Sequence, residues 1–279
     1  MRPRSLPALI LLILLTLCTA LAVPAADSVK STTYYNLHYS NWESVANALT
    51  PYLDAAFTTS RDVLGYSNSG YGKIDVYFYS NPRSGTAGYT TPGENALYLN
   101  LYYGSSTSDA YLRDYGSTVA HETSHVFFFH QTSIQNRYSW DSAGGSAWTW
   151  ITESLSYYVG DVVYPYGSQY GKAALGSLLS YYSKDGSLRY SWQDSGGRYK
   201  VGAANALDLV QLETIGQFLA ERGGWGSIQG MLRNLAAGND FDTAFKKSFG
   251  LETGMASTAS GSGVNTLYSE YIKYYLGHY

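Results

Sequence analysis

Cysteine is nearly absent: the chain holds only Cys18, inside an apolar stretch at the N-terminus. Past that stretch no disulfide and no thiolate chemistry is available, so the fold beyond it must be held by its core or by a metal. Charge is sparse too. Lys and Arg total 18, Asp and Glu total 21, and the formal net charge is −3. No basic stripe or cluster appears, which excludes the electrostatic footprint of a nucleic-acid binder. Histidine is scarce, with five in 279 residues, yet three of them fall between 121 and 130. Long apolar runs are missing except at the N-terminus.

That one run has the layout of a secretory signal. Arg2 and Arg4 form a positive start, Ala8 to Leu17 an apolar centre, and Ala20-Leu21-Ala22 a small-x-small cleavage signature. The run is short for a spanning helix. The expectation is a cleaved leader over residues 1–26, a secreted protein, and no stable membrane insertion afterwards. Without Arg2 and Arg4, 16 basic and 21 acidic residues remain, for a net charge of −5 (16 − 21).

What is abundant is apolar and aromatic. Hydrophobic residues make up 45%, enough for a sizeable core, and Tyr alone accounts for 29 positions. Strand patterns run over 32–39, 73–80 and 95–103, rich in β-branched and aromatic residues. Residues 41–64 repeat apolar positions at three- and four-residue spacing, with Pro51 as an expected kink. Residues 82–93 read as a Gly/Thr/Pro loop, and 114–131 as a helix apolar on nearly every side after His125. Helical patterns follow over 148–163, 171–182, 205–221, 225–236, 242–249 and 267–276, with Asp240 or Asp242 as the N-cap of the fifth. Residues 257–263 read as a flexible insertion. The fold class expected is α+β: a mixed-sheet subdomain over 27–131 and a helical subdomain over 132–279.

The chemistry concentrates at His121-Glu122-Thr123-Ser124-His125. On a helix, positions i and i+4 share a face, so both imidazoles reach one Zn²⁺. Glu122 leaves an adjacent side, where it can take a proton from water at the metal. Chance gives this pattern in roughly one such sequence in a few hundred. The plain alternative, two incidental histidines, sits badly with so apolar a helix, where unpaired imidazoles are costly. A catalytic zinc needs a third protein ligand and an open position. Gln131 occupies the place of a third histidine six residues on, and His130 points to another face, as a packed histidine. Glu153 is the better candidate. It stands in a helix with Trp148, Trp150, Ile151, Leu155 and Tyr158 around it, where an acid needs a partner.

These residues give a resemblance. With its HExxH helix and Trp150-x-x-Glu153-Ser154-x-Ser156-x-Tyr158, the chain resembles the gluzincin metallopeptidases. Within them it is similar to the peptidase MA-like group, related to aminopeptidases and bacterial collagenases. Phe218, Leu219, Gly224, Trp225, Leu235, Gly238, Ala244, Phe245, Phe249 and Gly250 continue the likeness. The resemblance implies one zinc per chain on His121, His125 and Glu153, Glu122 as general base, and a peptide or protein substrate. It also implies that Ala96 to Asn100 is the sheet edge along the cleft, and that a downstream hydroxyl or imidazole stabilises the oxyanion. Tyr199 is the nearest such residue. Tyr157 stands where the family usually has Glu. Two other readings compete: a zinc-fold secreted binding or surface protein that has lost catalysis, and a Tyr-rich adhesive or glycan-binding module.

Overall fold

The computed structural model describes residues 28–67, 70–81, 86–101, 103–134, 143–164, 206–253 and 266–278. The leader, the 171–182 helix and the 257–263 insertion lie outside the described residues. What is described is mixed α+β.

Among the described residues, five strands form one sheet: β1 (Ser28–Ser31), β2 (Tyr35–Tyr39), β3 (Ile74–Tyr79), β4 (Gly88–Thr90) and β5 (Ala96–Asn100). Their order is β1-β2-β3-β5-β4. The central pairs β2–β3 and β3–β5 are parallel, and both outer pairs are antiparallel. This corrects the expectation for Ala96 to Asn100. That strand is interior, and the edge is β4, a three-residue strand inside the stretch read as a loop. The reason is local: Glu94 N–H bonds to Thr91 O, and the chain folds back so that Gly88, Tyr89 and Thr90 pair with Leu99, Tyr98 and Leu97. The buried Asn100 amide then ties down the loop before β4, donating to Asn81 O and Thr86 O. β1 was not anticipated either. It precedes a tight turn in which Thr32 N–H donates to Tyr35 O, so the expected 32–39 strand starts at Tyr35.

The strands alternate as a half-covered sheet requires. Ile74, Val76 and Phe78 are buried, as are Leu37, Leu97 and Leu99, and this face packs on helices. The opposite face uses part of the tyrosine surplus. His38, Tyr77, Tyr98 and Tyr89 occupy paired positions on four adjacent strands. Their rings stack at 4.4, 5.3 and 4.5 Å between centroids, a row of cross-strand aromatic pairs.

Six helices are found among the described residues, in chain order: α1 (Glu43–Leu64), α2 (Asp109–Thr132), α3 (Ala143–Val163), α4 (Ala206–Ala236), α5 (Phe241–Phe249) and α6 (Thr266–His278). α1 crosses between the parallel β2 and β3 and buries Val45, Leu49, Leu53 and Phe57 along one stripe. The helix continues through Pro51. It ends at Gly65, whose φ of 66° is left-handed, and a side chain there would also meet Gln229. α4 is broken at Gly224 (φ 66°, ψ 174°), so its halves correspond to the two helices expected at 205–221 and 225–236. Asp240, not Asp242, caps α5: its carboxylate accepts from Thr243 N–H at 2.6 Å. Buried apolar side chains from Tyr35 to Tyr271 form one continuous core that crosses residue 131. Among the described residues, no helix is long and apolar enough to cross a membrane.

Candidate metal centre

α2 is the centre of the molecule, and its sequence suits that place. Small residues let its neighbours approach, and its hydroxyls bond locally. Ser124 and Thr118 donate to the carbonyls four residues back, while Thr123 Oγ1 and the buried Tyr35 hydroxyl lie 2.9 Å apart. Ser60 of α1 donates to Ala120 O at 3.1 Å. Each bond satisfies a polar group that would otherwise be costly inside. The helix is therefore pinned on two sides at the turn that carries His121 and His125. It begins at Asp109 rather than 114, so the HExxH turn sits mid-helix, away from fraying ends.

α3 supplies the third group. Gly160 faces Ser117 so closely that a Cβ there would lie 3.0 Å from the hydroxyl and 3.8 Å from His121 Cβ. On the other side, Gly216 of α4 lies against the Ser154 carbonyl and Tyr158 with no room for a side chain. Two glycines thus let α2, α3 and α4 pack at backbone range, which fixes the height at which Glu153 faces the histidines.

The resulting geometry is compact. His121 Nε2 and His125 Nε2 are 3.1 Å apart. Glu153 places Oε2 at 3.4 Å from the first and Oε1 at 3.4 Å from the second. Ligands about 2.0–2.1 Å from a tetrahedral ion stand about 3.3 Å from one another. The three donors are therefore already spaced as a zinc would hold them. Glu122 is close but differs: its Oε1 is 4.0 Å from His121 Nε2. Glu122 also groups with His121 and His125 as a possible cation site. Glu153 thus stands closer to both imidazoles than Glu122 does.

Electrostatics agree with that division. Burial raises the Glu122 pKa, His121 and His125 pull it down, and Glu153 adds to the rise; the net shift is upward. A carboxylate poised nearer neutrality is a better general base. Burial also works against ionised Glu153, but the His125 and His121 imidazoles outweigh it and hold the carboxyl well below the usual range. Among the described residues, Glu153 has no Lys or Arg partner, only the two imidazoles. Two inward carboxylates facing two imidazoles form a donor set that fits a divalent cation. The Glu153 side chain stays 26% exposed, so one side of the cluster is open.

β4 borders this cluster. A Cβ on Gly88 would lie 2.8 Å from Thr118 Cγ2 and 3.2 Å from Glu122 Cγ. The glycine here answers a packing need, because its backbone is ordinary strand. Only a residue without a side chain lets the sheet edge pass this close to Glu122.

Of the other sequence candidates, His130 packs elsewhere. It stacks on Tyr71 at 3.8 Å and its Nδ1 lies 3.1 Å from the Tyr66 hydroxyl. Tyr199 lies outside the described residues.

Two residues have surroundings that the sequence did not foretell. One is Tyr157, whose ring meets His121 at 4.4 Å and 64°. The other is Glu213 on α4. Burial, with Asp161 of α3 facing it, pushes its carboxyl up to about 8. Between the ordinary value of 4.5 and 8, the folded state holds a proton that the unfolded state has released. Stability therefore falls as pH rises through that window. At pH 7 the cost is on the order of 3 kcal/mol. Glu213→Gln removes it: the variant is expected to be more stable than wild type at pH 8 and equal to it near pH 4.5. Urea unfolding at the two pH values measures this, and an equal gain at both would refute the assignment.

Comparison with known proteins finds no family model and no curated protein that matches the chain.

Proposed function

We propose that the protein is a secreted zinc metallopeptidase of the gluzincin type, acting on a peptide or protein substrate. The observation that carries this reading is the mutual spacing of His121 Nε2, His125 Nε2 and a Glu153 carboxylate, at 3.1–3.4 Å, beside a second carboxylate that stands back. A purely structural zinc site would be closed by four protein ligands and would not need Glu122.

His121, His125 and Glu153 would hold the ion. A bound zinc supplies Lewis acidity, which polarises a carbonyl and makes water more acidic. Glu122 then takes a proton from the attacking water and hands it to the departing amine. The substrate class is supported by β4. Among the described residues it pairs on one side only, with β5, and its Gly88 lies against Glu122. An extended peptide that added to this edge by main-chain hydrogen bonds would run past the base. Export is supported by the N-terminal leader pattern.

The test is zinc stoichiometry of the purified protein, with cleavage of casein before and after chelation. One zinc per chain and cleavage that stops on chelation and returns with added zinc is the expected result. Zinc without cleavage would favour the non-catalytic binding protein. A chain that takes up no zinc would sink the reading.

A further inference from the structure

A metal-bound imidazole needs more than its metal. Its second nitrogen ordinarily donates to a carboxylate, a carbonyl or water, which fixes the ring. His121 uses Nε2 toward the cluster. Among the described residues, no hydrogen bond is made at its Nδ1. What touches the ring instead is Tyr157, at 4.4 Å between centroids and 64° between planes, an edge-to-face contact.

The placement of Tyr157 is not incidental. It follows Glu153 by four residues, so both project from the same face of α3. One helix face thus presents the third ligand and, one turn on, the wall that the first ligand leans against. Gly160 completes the contact, since its missing side chain lets α3 approach within reach of His121 Cβ. Among the described residues, by contrast, the rings nearest His125 are those of His121 and, farther off, Phe129.

We propose that Tyr157 is the positioning residue for His121, holding the imidazole in its metal-facing rotamer through its ring rather than through a hydrogen bond. Tyr157 acts on the ligand and not on the reacting atoms. The inference rests on the zinc reading above and adds to it a distinct prediction: the aromatic ring matters and the hydroxyl does not.

The test is zinc affinity by competition with a chromophoric chelator, for wild type, Tyr157→Phe, Tyr157→Leu and Tyr157→Ala, with thermal melts of the zinc-free proteins alongside. Tyr157→Phe is expected within about twofold of wild type. Tyr157→Ala should bind zinc 10- to 100-fold more weakly, the range for removing such outer support. Tyr157→Leu fills the space without a ring face and should also weaken binding about 10-fold, while melting close to wild type. Wild-type affinity in the Leu variant would overturn the proposal, as would a loss in Phe equal to that in Ala. A wild-type protein that binds no zinc fails the metallopeptidase reading itself. Zinc binding that is indifferent to all three substitutions fails the Tyr157 inference alone.

Discussion

Glu122→Gln is expected to bind one zinc as wild type does and to hydrolyse casein about 10²–10⁴-fold more slowly, the range for removing a positioned general base. The two halves of that expectation come from different features. Gln keeps the shape of Glu, so the close approach of Gly88 to the side chain is undisturbed. The buried position loses no ion pair that the fold depends on, because Glu122 stands 4.0 Å from the nearest imidazole nitrogen. Burial already disfavours its charged form, so a neutral replacement is tolerated. What disappears is the ability to accept a proton. Metal content measured by plasma emission and initial rates on casein separate the two effects. Loss of zinc in the variant would make Glu122 a ligand. Full activity would remove it from the chemistry altogether.

The pairing of His121 with His125 was legible in the sequence because helices carry their own ruler. A four-residue gap on an apolar helix places His121 and His125 together whatever the rest of the chain does. Glu153 was legible for a different reason: it is an acid among Ile151, Leu155 and aromatic residues, and such acids need partners. Strand order had no comparable signal. Periodicity shows that Ala96 to Asn100 is a strand but not which strands flank it, and the partner that makes it interior is only three residues long. Gly88 looked like loop glycine because its role is steric and depends on Glu122, 34 positions away. Tyr157 and Glu213 were hidden in the same way. A ring contact with His121 and a raised pKa opposite Asp161 both arise from the crossing of helices, and neither leaves a mark on local spacing. His130 was read from its position five after His125, and the structure places it against Tyr66 and Tyr71.

Glu153→Ala is expected to lower zinc affinity by about 10²–10³-fold and to take activity down with it. A four-ligand zinc site is worth about 10–16 kcal/mol, so one ligand carries roughly 3–4 kcal/mol. The same exchange has a second consequence in the zinc-free protein. Burial alone would push the His125 imidazole down; Glu153, with a smaller push from Glu122, holds it above its ordinary value. Without the carboxylate, His125 should lose its proton at lower pH, and a proton resonance of its ring followed by NMR titration would report the drop. Glu153→Asp keeps the charge but withdraws it by one methylene, so its zinc affinity should fall between wild type and Ala. The contrast with Glu122 is the decisive part. Both acids lie within about 4 Å of His121, and proximity alone does not say which one binds and which one reacts. If Glu153→Ala loses zinc while Glu122→Gln keeps it, the assignment made from 3.4 Å against 4.0 Å holds. If the two variants exchange behaviours, the carboxylates exchange roles and the ion sits closer to α2 than to α3. If neither loses zinc, two histidines and water hold the ion, and α3 contributes only its packing.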